Sequence, residues 1–138
     1  MAGFLTPLRV ERVNGGNKWR VLEPFEYCIG AADSKAKVIV PIGFETDFAS
    51  IPRGLWNLFP PVGGKYDKAA CIHDRLYQAP VYDNDGWLTL VDRKFADDVF
   101  KEAMEVQEVG RFSRWTIYSA VRLGGRGIWR NYREKELT

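Results

Sequence analysis

The stretch Asp67-Lys-Ala-Ala-Cys-Ile-His73-Asp74-Arg-Leu-Tyr77 contains the only histidine of this 138-residue chain, and a carboxylate directly follows it. Side chains at i, i+3 and i+4 spacing share one face of a helix, and this spacing holds for Ala70, His73, Asp74 and Tyr77. A neutral imidazole accepts a proton from water near neutral pH, and a neighbouring carboxylate can hold a metal ion or the imidazole. If the chain catalyses a reaction, we expect the chemistry here.

A second helix is predicted over residues 92–106, because apolar side chains recur there with helical spacing. Asp97 borders this apolar stripe, so we expect its carboxylate to point inward. A third helix is predicted over residues 112–123, ending at Gly124-Gly125 as helices often do. Residues 128–132 are predicted to form a docking strand or turn before a charged, frayed end.

The first third of the chain reads as β structure. Its strand-like segments are residues 8–13, 18–22, 25–29 and 37–41. Alternating and β-branched residues in these segments predict three to five antiparallel strands. Further along, a turn-rich loop is predicted over residues 82–86. Residues 87–91 are predicted to form a short strand or an extended segment that leads into the next helix. The pattern indicates one α+β domain over residues 1–138, mainly β in 1–50 and mainly helical in 51–138.

Composition limits the possible classes of protein. Apolar residues make up 46% of the chain and aromatic residues 14%, which predicts a packed globule rather than a disordered chain. A net charge of +2 gives no general case for nucleic-acid binding. Cys28 and Cys71 are expected to be buried thiols and not a disulfide framework. With no signal peptide and no transmembrane segment in the sequence, we expect synthesis in a reducing cytoplasm.

Three motifs lie in the middle of the chain, between residues 40 and 97. They are Val40-Pro-Ile-Gly-Phe-Glu-Thr-Asp-Phe-Ala-Ser-Ile-Pro52, His73-Asp-Arg-Leu-Tyr77 and Arg93-Lys-Phe-Ala-Asp97. With them the sequence is similar to an uncharacterised family of bacteriophage and prophage proteins. The resemblance implies a phage origin more firmly than it implies an activity.

The His73 region also resembles the core of phospholipase A2, most closely the compact forms in parvovirus capsid proteins and bacterial secreted enzymes. In that family a helix reads Asp, five residues, His-Asp, two residues, Tyr, as it does here from Asp67 to Tyr77. A facing helix supplies an Asp followed by an aromatic residue three positions on, as Asp97 and Phe100 do. Residues 60–64, Pro-Pro-Val-Gly-Gly, look like the family's glycine-containing calcium loop.

This second resemblance implies roles for individual residues. His73 would be the base that activates water, and Asp97 would orient and charge-balance the imidazole. Tyr77 would hydrogen-bond Asp97. The implied calcium ligands are the carboxylate of Asp74 and main-chain carbonyls near Gly63 and Gly64, since calcium accepts six to eight hard oxygen atoms. Calcium would polarise an ester carbonyl and stabilise the oxyanion.

The expected fold is therefore a small N-terminal antiparallel sheet against a phospholipase A2-like antiparallel helix pair, with a third C-terminal helix behind. Two functions stay open. One is a phage-encoded, calcium-assisted lipid esterase that acts when the particle or its tail meets a host membrane. The other is a structural component of the phage tail or baseplate, in which the His-Asp pair is a polar brace, since a lone histidine on an apolar face is usually structural.

Residues 111–138 bear on possible partners, because they contain seven Lys and Arg residues against two Glu, interleaved with aromatic side chains. Arginine and aromatic residues are typical of protein interfaces. We expect this region to contact other virion proteins, with host membrane lipid as a second possibility and without sequence-specific nucleic-acid binding. The expected location is the phage virion or the host cytoplasm.

Overall fold

The computed structural model describes residues 3–4, 7–13, 18–48, 51–55, 57–58 and 66–136. The expected α+β class is confirmed, because antiparallel sheets and helices both contribute to the core. The strands are β1 (Gly3–Phe4), β2 (Val10–Arg12), β3 (Trp19–Val21), β4 (Phe25–Cys28), β5 (Ala36–Val40), β6 (Glu45–Thr46), β7 (Val81–Asn84) and β8 (Trp87–Leu90). The helices are a 3-10 helix (Arg53–Leu55), α1 (Asp67–Gln78), α2 (Arg93–Val106), α3 (Arg111–Gly124) and α4 (Arg126–Glu136).

Five strands form the larger sheet, in the order β1-β4-β5-β7-β8 with every pairing antiparallel. At its centre Phe25 is opposite Val40 and Tyr27 is opposite Val38. These four side chains are buried, because alternate residues of a strand point to the same face. The sheet is joined to α2 by Glu102, whose Oε1 accepts the Tyr27 hydroxyl at 2.5 Å.

Three further strands form a second, separate sheet in the order β2-β3-β6, where a single N-terminal sheet was expected. In its register Trp19 is opposite Thr46 and Arg20 is opposite Glu45. The short strand β6 thereby holds Thr46 in the protein interior, where only 1% of its surface is exposed. This position places the Thr46 hydroxyl beside α1.

The prediction of a loop over residues 82–86 was wrong for most of that segment. Residues up to Asn84 form β7, which pairs with β5 through Ala36 and Asn84. Only Asp85 and Gly86 form the turn, and their φ angles of 54° and 91° suit a tight hairpin between right-twisted strands. Asp83 and Asn84 have low strand propensity, but tertiary pairing with β5 overrides that preference. The strand predicted over residues 87–91 is confirmed as β8.

The helix pair α1 and α2 forms as predicted, and its antiparallel arrangement follows from contacts at both ends. Near the beginning of α1, the Ala69 N–H donates to Gln107 Oε1, just beyond the end of α2. Near the end of α1, Tyr77 contacts Asp97 in the first half of α2. The helix α2 begins where Asp92 accepts the N–H of Phe95, which satisfies one of the free N–H groups of the first turn.

The third predicted helix is confirmed as α3, but the strand or turn expected over residues 128–132 is instead part of a fourth helix, α4. Gly125 adopts a right-handed helical conformation with φ −84° and ψ −11°, so the chain resumes helical structure after a one-residue break. Ile128, Trp129 and Tyr132 are partly buried against the core at helical spacing. No helix in the described ranges is long and apolar enough to cross a lipid bilayer.

Candidate active site

His73 lies on the face of α1 that packs against α2, and its side chain is completely buried. Its ring lies between two aromatic rings. The Phe100 ring of α2 is stacked at a centroid distance of 4.4 Å and an angle of 29°, and the Tyr77 ring lies at 4.4 Å and 45°. These contacts fix the orientation of the imidazole.

Asp97 of α2 points inward as expected and contacts both predicted partners on α1. Its Oδ1 lies 2.7 Å from His73 Nε2 and accepts the Tyr77 hydroxyl at 2.7 Å. Burial and the nearby Asp97 charge raise the pKa of Tyr77 far above its usual value, so the hydroxyl keeps its proton and donates. The structure thus brings His73, Asp97 and Tyr77 together around one carboxylate oxygen.

The second oxygen of Asp97 is held by two arginines. Arg93 Nη1 donates to Oδ2 at 3.3 Å from the same helix, and Arg122 Nη1 donates at 2.8 Å from α3. Burial alone would raise the pKa of Asp97, but hydrogen bonds from His73, Tyr77 and Arg122 outweigh it, so this pKa lies below its ordinary value. The hydrogen bond that Arg122 donates to Asp97 raises the pKa of the Arg122 guanidinium. Asp97 is therefore an ionised carboxylate with four donors.

This ionised carboxylate fixes the tautomer of the imidazole. A carboxylate only accepts hydrogen bonds, so the proton shared with Asp97 must come from His73 Nε2. In the neutral ring the basic nitrogen is then Nδ1. A histidine in this form can take a proton at Nδ1 while the resulting positive charge is stabilised by Asp97.

Asp74 lies on a neighbouring face of α1 and is also completely buried. Its Oδ2 accepts the Thr46 hydroxyl at 2.6 Å and the side-chain amide of Gln78 at 2.8 Å. The Thr46 hydroxyl in turn accepts the N–H of Phe48 at 3.1 Å, and Phe48 adopts a positive φ of 56°. The segment after β6 is therefore fixed against α1 by the Asp74 carboxylate.

The calcium site predicted from the resemblance is only partly within the described residues. Asp74 offers hard carboxylate oxygen, as calcium requires, but a calcium ion takes six to eight such ligands. Gly63 and Gly64, whose carbonyls were expected to complete the set, lie outside the described residues. Among the residues that the structure does describe, no group of three or more His, Cys, Asp or Glu side chains could hold a metal ion.

A polar cleft of about 270 Å³ lies next to the Asp74 network. Gln78 connects the two, because its Nε2 donates to Asp74 and lies 3.4 Å from the main-chain oxygen of Glu45. The other lining residues are Lys18, Glu45, Asp47, Tyr132 and Lys135. Burial is the main cause of the raised pKa of Tyr132, and the negative charges of Asp74 and Asp47 raise it further. Both carboxylates therefore interact electrostatically with the Tyr132 side chain that lines this cleft.

The C-terminal helix α4 packs against the end of α1. Trp129 packs edge-on against the Tyr77 ring at 5.1 Å, and the Arg133 guanidinium lies over the Trp129 ring at 4.4 Å. Arg133 also donates to the main-chain oxygens of Tyr77 and Gln78, the last carbonyls of α1. A cation at this end is favoured by the helix dipole. The site is therefore built from α1, α2, α3 and α4 together.

Sequence reasoning missed several residues that complete the site. Arg93 had a usable signal, since it lies four residues before Asp97 on the same helix. Thr46 also had a usable signal, because it lies within the motif of residues 40–52. Arg122 and Arg133 gave no local signal, because their partners are 25 and 55 or more residues away in sequence.

Residues 19–121 match the model of a family described as "protein of unknown function (DUF1353)". The match includes His73, Tyr77, Arg93 and Asp97 and ends one residue before Arg122, so most of the site lies within it. No curated protein and no solved structure shows significant similarity to the chain.

Proposed function

This chain belongs to the DUF1353 family of proteins of unknown function, and we propose that it is a calcium-assisted hydrolase of lipid esters. One observation carries the proposal: the 2.7 Å contact between His73 Nε2 and Asp97 Oδ1, with the Tyr77 hydroxyl on the same oxygen. A buried histidine that is oriented by a carboxylate is the arrangement that a general base needs. The spacing of these residues within their helices is the one that resembles phospholipase A2.

In the proposed reaction, His73 Nδ1 takes a proton from water as the water oxygen attacks the ester carbonyl. The carbon–oxygen bond to the alcohol then breaks, and His73 returns the proton to the leaving oxygen. Asp97 stabilises the protonated ring between these two steps, and Tyr77 holds Asp97 in place. Because His73 is completely buried, water and ester reach Nδ1 only after neighbouring side chains move.

Asp74 is the described residue that would hold calcium in this proposal, with carbonyls near Gly63 and Gly64 as further ligands. When bound, calcium supplies positive charge that polarises the ester carbonyl. The Thr46 hydroxyl and the Gln78 amide fix the position of the Asp74 carboxylate, which belongs to the residue that follows His73 in α1. The ordinary affinity of carboxylate oxygen for hard cations supports this role of Asp74.

The proposed setting is a bacteriophage particle, in its tail or baseplate, where the enzyme would meet host membrane lipid. The C-terminal helices support association with other virion proteins. Phe112 and Trp115 of α3 are exposed and lie next to one another, with ring centroids 6.5 Å apart, and Arg111 and Arg114 are on the same turns. Exposed aromatic residues among arginines are typical of protein interfaces.

A second candidate function, a purely structural phage component, is favoured by a different observation. Arg93 and Arg122 already compensate the negative charge of Asp97. Asp97 therefore stabilises a protonated His73 less than a carboxylate without arginine partners would. In that role the carboxylate joins α1, α2 and α3, and the histidine serves as a satisfied polar group in the core. Buried networks of this kind can specify a unique packing.

Hydrolysis of phospholipid vesicles, measured with calcium and with a chelator, separates the two candidates. The wild-type protein should release fatty acid only with calcium, and His73→Gln should release none while remaining folded. Glutamine keeps an N–H donor for Asp97 but cannot act as a base. Absence of release by the folded wild-type protein at every calcium concentration, with normal assembly of particles that carry His73→Gln, would instead establish the structural role.

A further inference from the structure

The strand β8 is the last strand of the five-stranded sheet, and its outer edge is apolar. Trp87, Leu88 and Leu90 are 78%, 73% and 80% exposed. Edge strands of soluble proteins are normally protected by charged residues, proline or a bulge. The sequence Trp87-Leu-Thr-Leu90 contains no charge and no proline, so this edge has the character of an interface.

The main chain of β8 shows which groups are open to a partner. The Val91 N–H donates to the Pro80 oxygen, towards β7. Because successive residues of an antiparallel strand direct their N–H and C=O groups to opposite sides, Trp87 and Thr89 also bond towards β7. The N–H and C=O groups of Leu88 and Leu90 therefore point to the open edge.

We propose that two copies of this chain associate through β8, as antiparallel neighbours about a two-fold axis at Thr89. In this register Leu88 of one copy is opposite Leu90 of the other, and all four outward groups of each copy take part in hydrogen bonds. The four leucines lie on one face of the joined sheet. The interface is self-complementary, as a two-fold dimer requires.

The distribution of charged residues around β8 favours a second copy of this chain as the partner. The paired strands carry no like charges that would repel each other. Antiparallel pairing also brings Asp85, in the turn before β8, towards Lys94 of the other copy, where the neighbouring Asp92 already accepts the N–H of Phe95. Lys94 lies at the beginning of α2, and its side chain is 66% exposed. Opposite charges at both ends of the interface favour this orientation over a parallel one.

The contact is short, so the dimer should be weak and depend on concentration. Stable interfaces bury on the order of 1,200–2,000 Å² in total, and a four-residue strand pair with its side chains is smaller than that. Sedimentation velocity over a concentration series should show a monomer–dimer equilibrium. This association is separate from hydrolysis, because β8 is at the outer edge of the sheet and the His73–Asp97 pair lies between α1 and α2.

Two substitutions at Leu88 test the proposed edge. Leu88→Lys should weaken dimerisation at least about tenfold, equivalent to about 1.4 kcal/mol, by placing like charges near the axis. Leu88→Pro removes an N–H that points away from β7 and should have the same effect without opening the hairpin. Leu123→Lys, at a residue that is 87% exposed on α3, is the matched control and should leave the dimer unchanged.

A cysteine at the axis tests the register directly. The two Thr89 residues would form a non-hydrogen-bonded pair with Cα atoms about 4.5 Å apart, which permits a disulfide. Thr89→Cys should therefore form a covalent dimer on mild oxidation. Trp87→Cys should not, because its two copies would be about 13 Å apart at 3.3 Å per residue. The native Cys28 and Cys71 are free and buried.

A monomer at every concentration, with Thr89→Cys cross-linking no faster than Trp87→Cys, overturns the proposal. So does a dimer that survives Leu88→Lys unchanged, since its interface must then lie elsewhere. Cross-linking of Thr89→Cys to a different protein in preference to itself would assign the edge to another partner and also reject the proposed dimer.

Discussion

Gly125 lies directly against the hydroxyl group of Tyr77. A Cβ atom at Gly125 would lie 2.5 Å from that oxygen and 2.5 Å from the main-chain oxygen of Val121. The junction between α3 and α4 can approach α1 so closely only because glycine has no side chain. The same Tyr77 hydroxyl donates to Asp97, so the space at Gly125 is part of what positions the polar network.

Gly125→Ala should therefore destabilise the protein, by about 1–3 kcal/mol, as expected for overpacking of a well-packed interior. Urea unfolding followed by tryptophan fluorescence measures this change. The control is Gly127→Ala, where a Cβ meets nothing within 4 Å inside α4. That change should stabilise the protein by about 0.5–1 kcal/mol, because alanine favours helix. Equal effects at both positions would contradict the close approach to Tyr77.

Asp97→Asn should lower the free energy of unfolding by about 3–5 kcal/mol, because it leaves two arginines near a buried site without their counter-charge. Asp98→Asn is the neighbouring control. The Asp98 side chain is 44% exposed and pairs with Lys94 on the surface, so its replacement should cost at most about 1 kcal/mol. Chemical denaturation of the three proteins gives both values. A cost at Asp97 no larger than at Asp98 would show that the buried network contributes little stability.

Acidification should destabilise the wild-type protein through Asp97. Its pKa in the folded protein lies below the ordinary value, which is 3.8 for this group. A depressed pKa contributes stability that is present above the unfolded-state value and is lost as pH falls through the folded-state value. The free energy of unfolding should thus fall more steeply below about pH 4 in the wild type than in Asp97→Asn. Parallel curves for the two proteins would refute the assignment.

Thr46→Val should destabilise the protein by about 1.5–3 kcal/mol, the usual contribution of a hydrogen bond to a charged group. Valine keeps the shape of the side chain but removes the donor to Asp74 and the acceptor for the Phe48 N–H. Thr116→Val, which removes a surface hydrogen bond to Phe112 within α3, should change stability by no more than about 0.5 kcal/mol. Thermal unfolding of both variants measures the difference.

Part of the site could be predicted from local sequence. The helical spacing of His73 and Tyr77, and the inward position of Asp97 at the border of an apolar stripe, follow from a period of 3.6 residues. The wrong predictions over residues 82–86 and 128–132 have one cause. In both segments local propensity suggested irregular or extended structure, but pairing with β5 in one case and packing against α1 in the other decided the conformation.

The sequence by itself determined which chemistry is available: one imidazole, one carboxylate on each of two helices, and the apolar faces along which those helices pack. These are local properties, because the positions of side chains on a helix repeat every few residues. Only the tertiary structure decided that Asp97 is shared by His73, Tyr77 and two arginines, since Arg122 reaches it from a third helix. Burial of apolar surface drives that packing, and no local pattern specifies which distant polar groups it brings together.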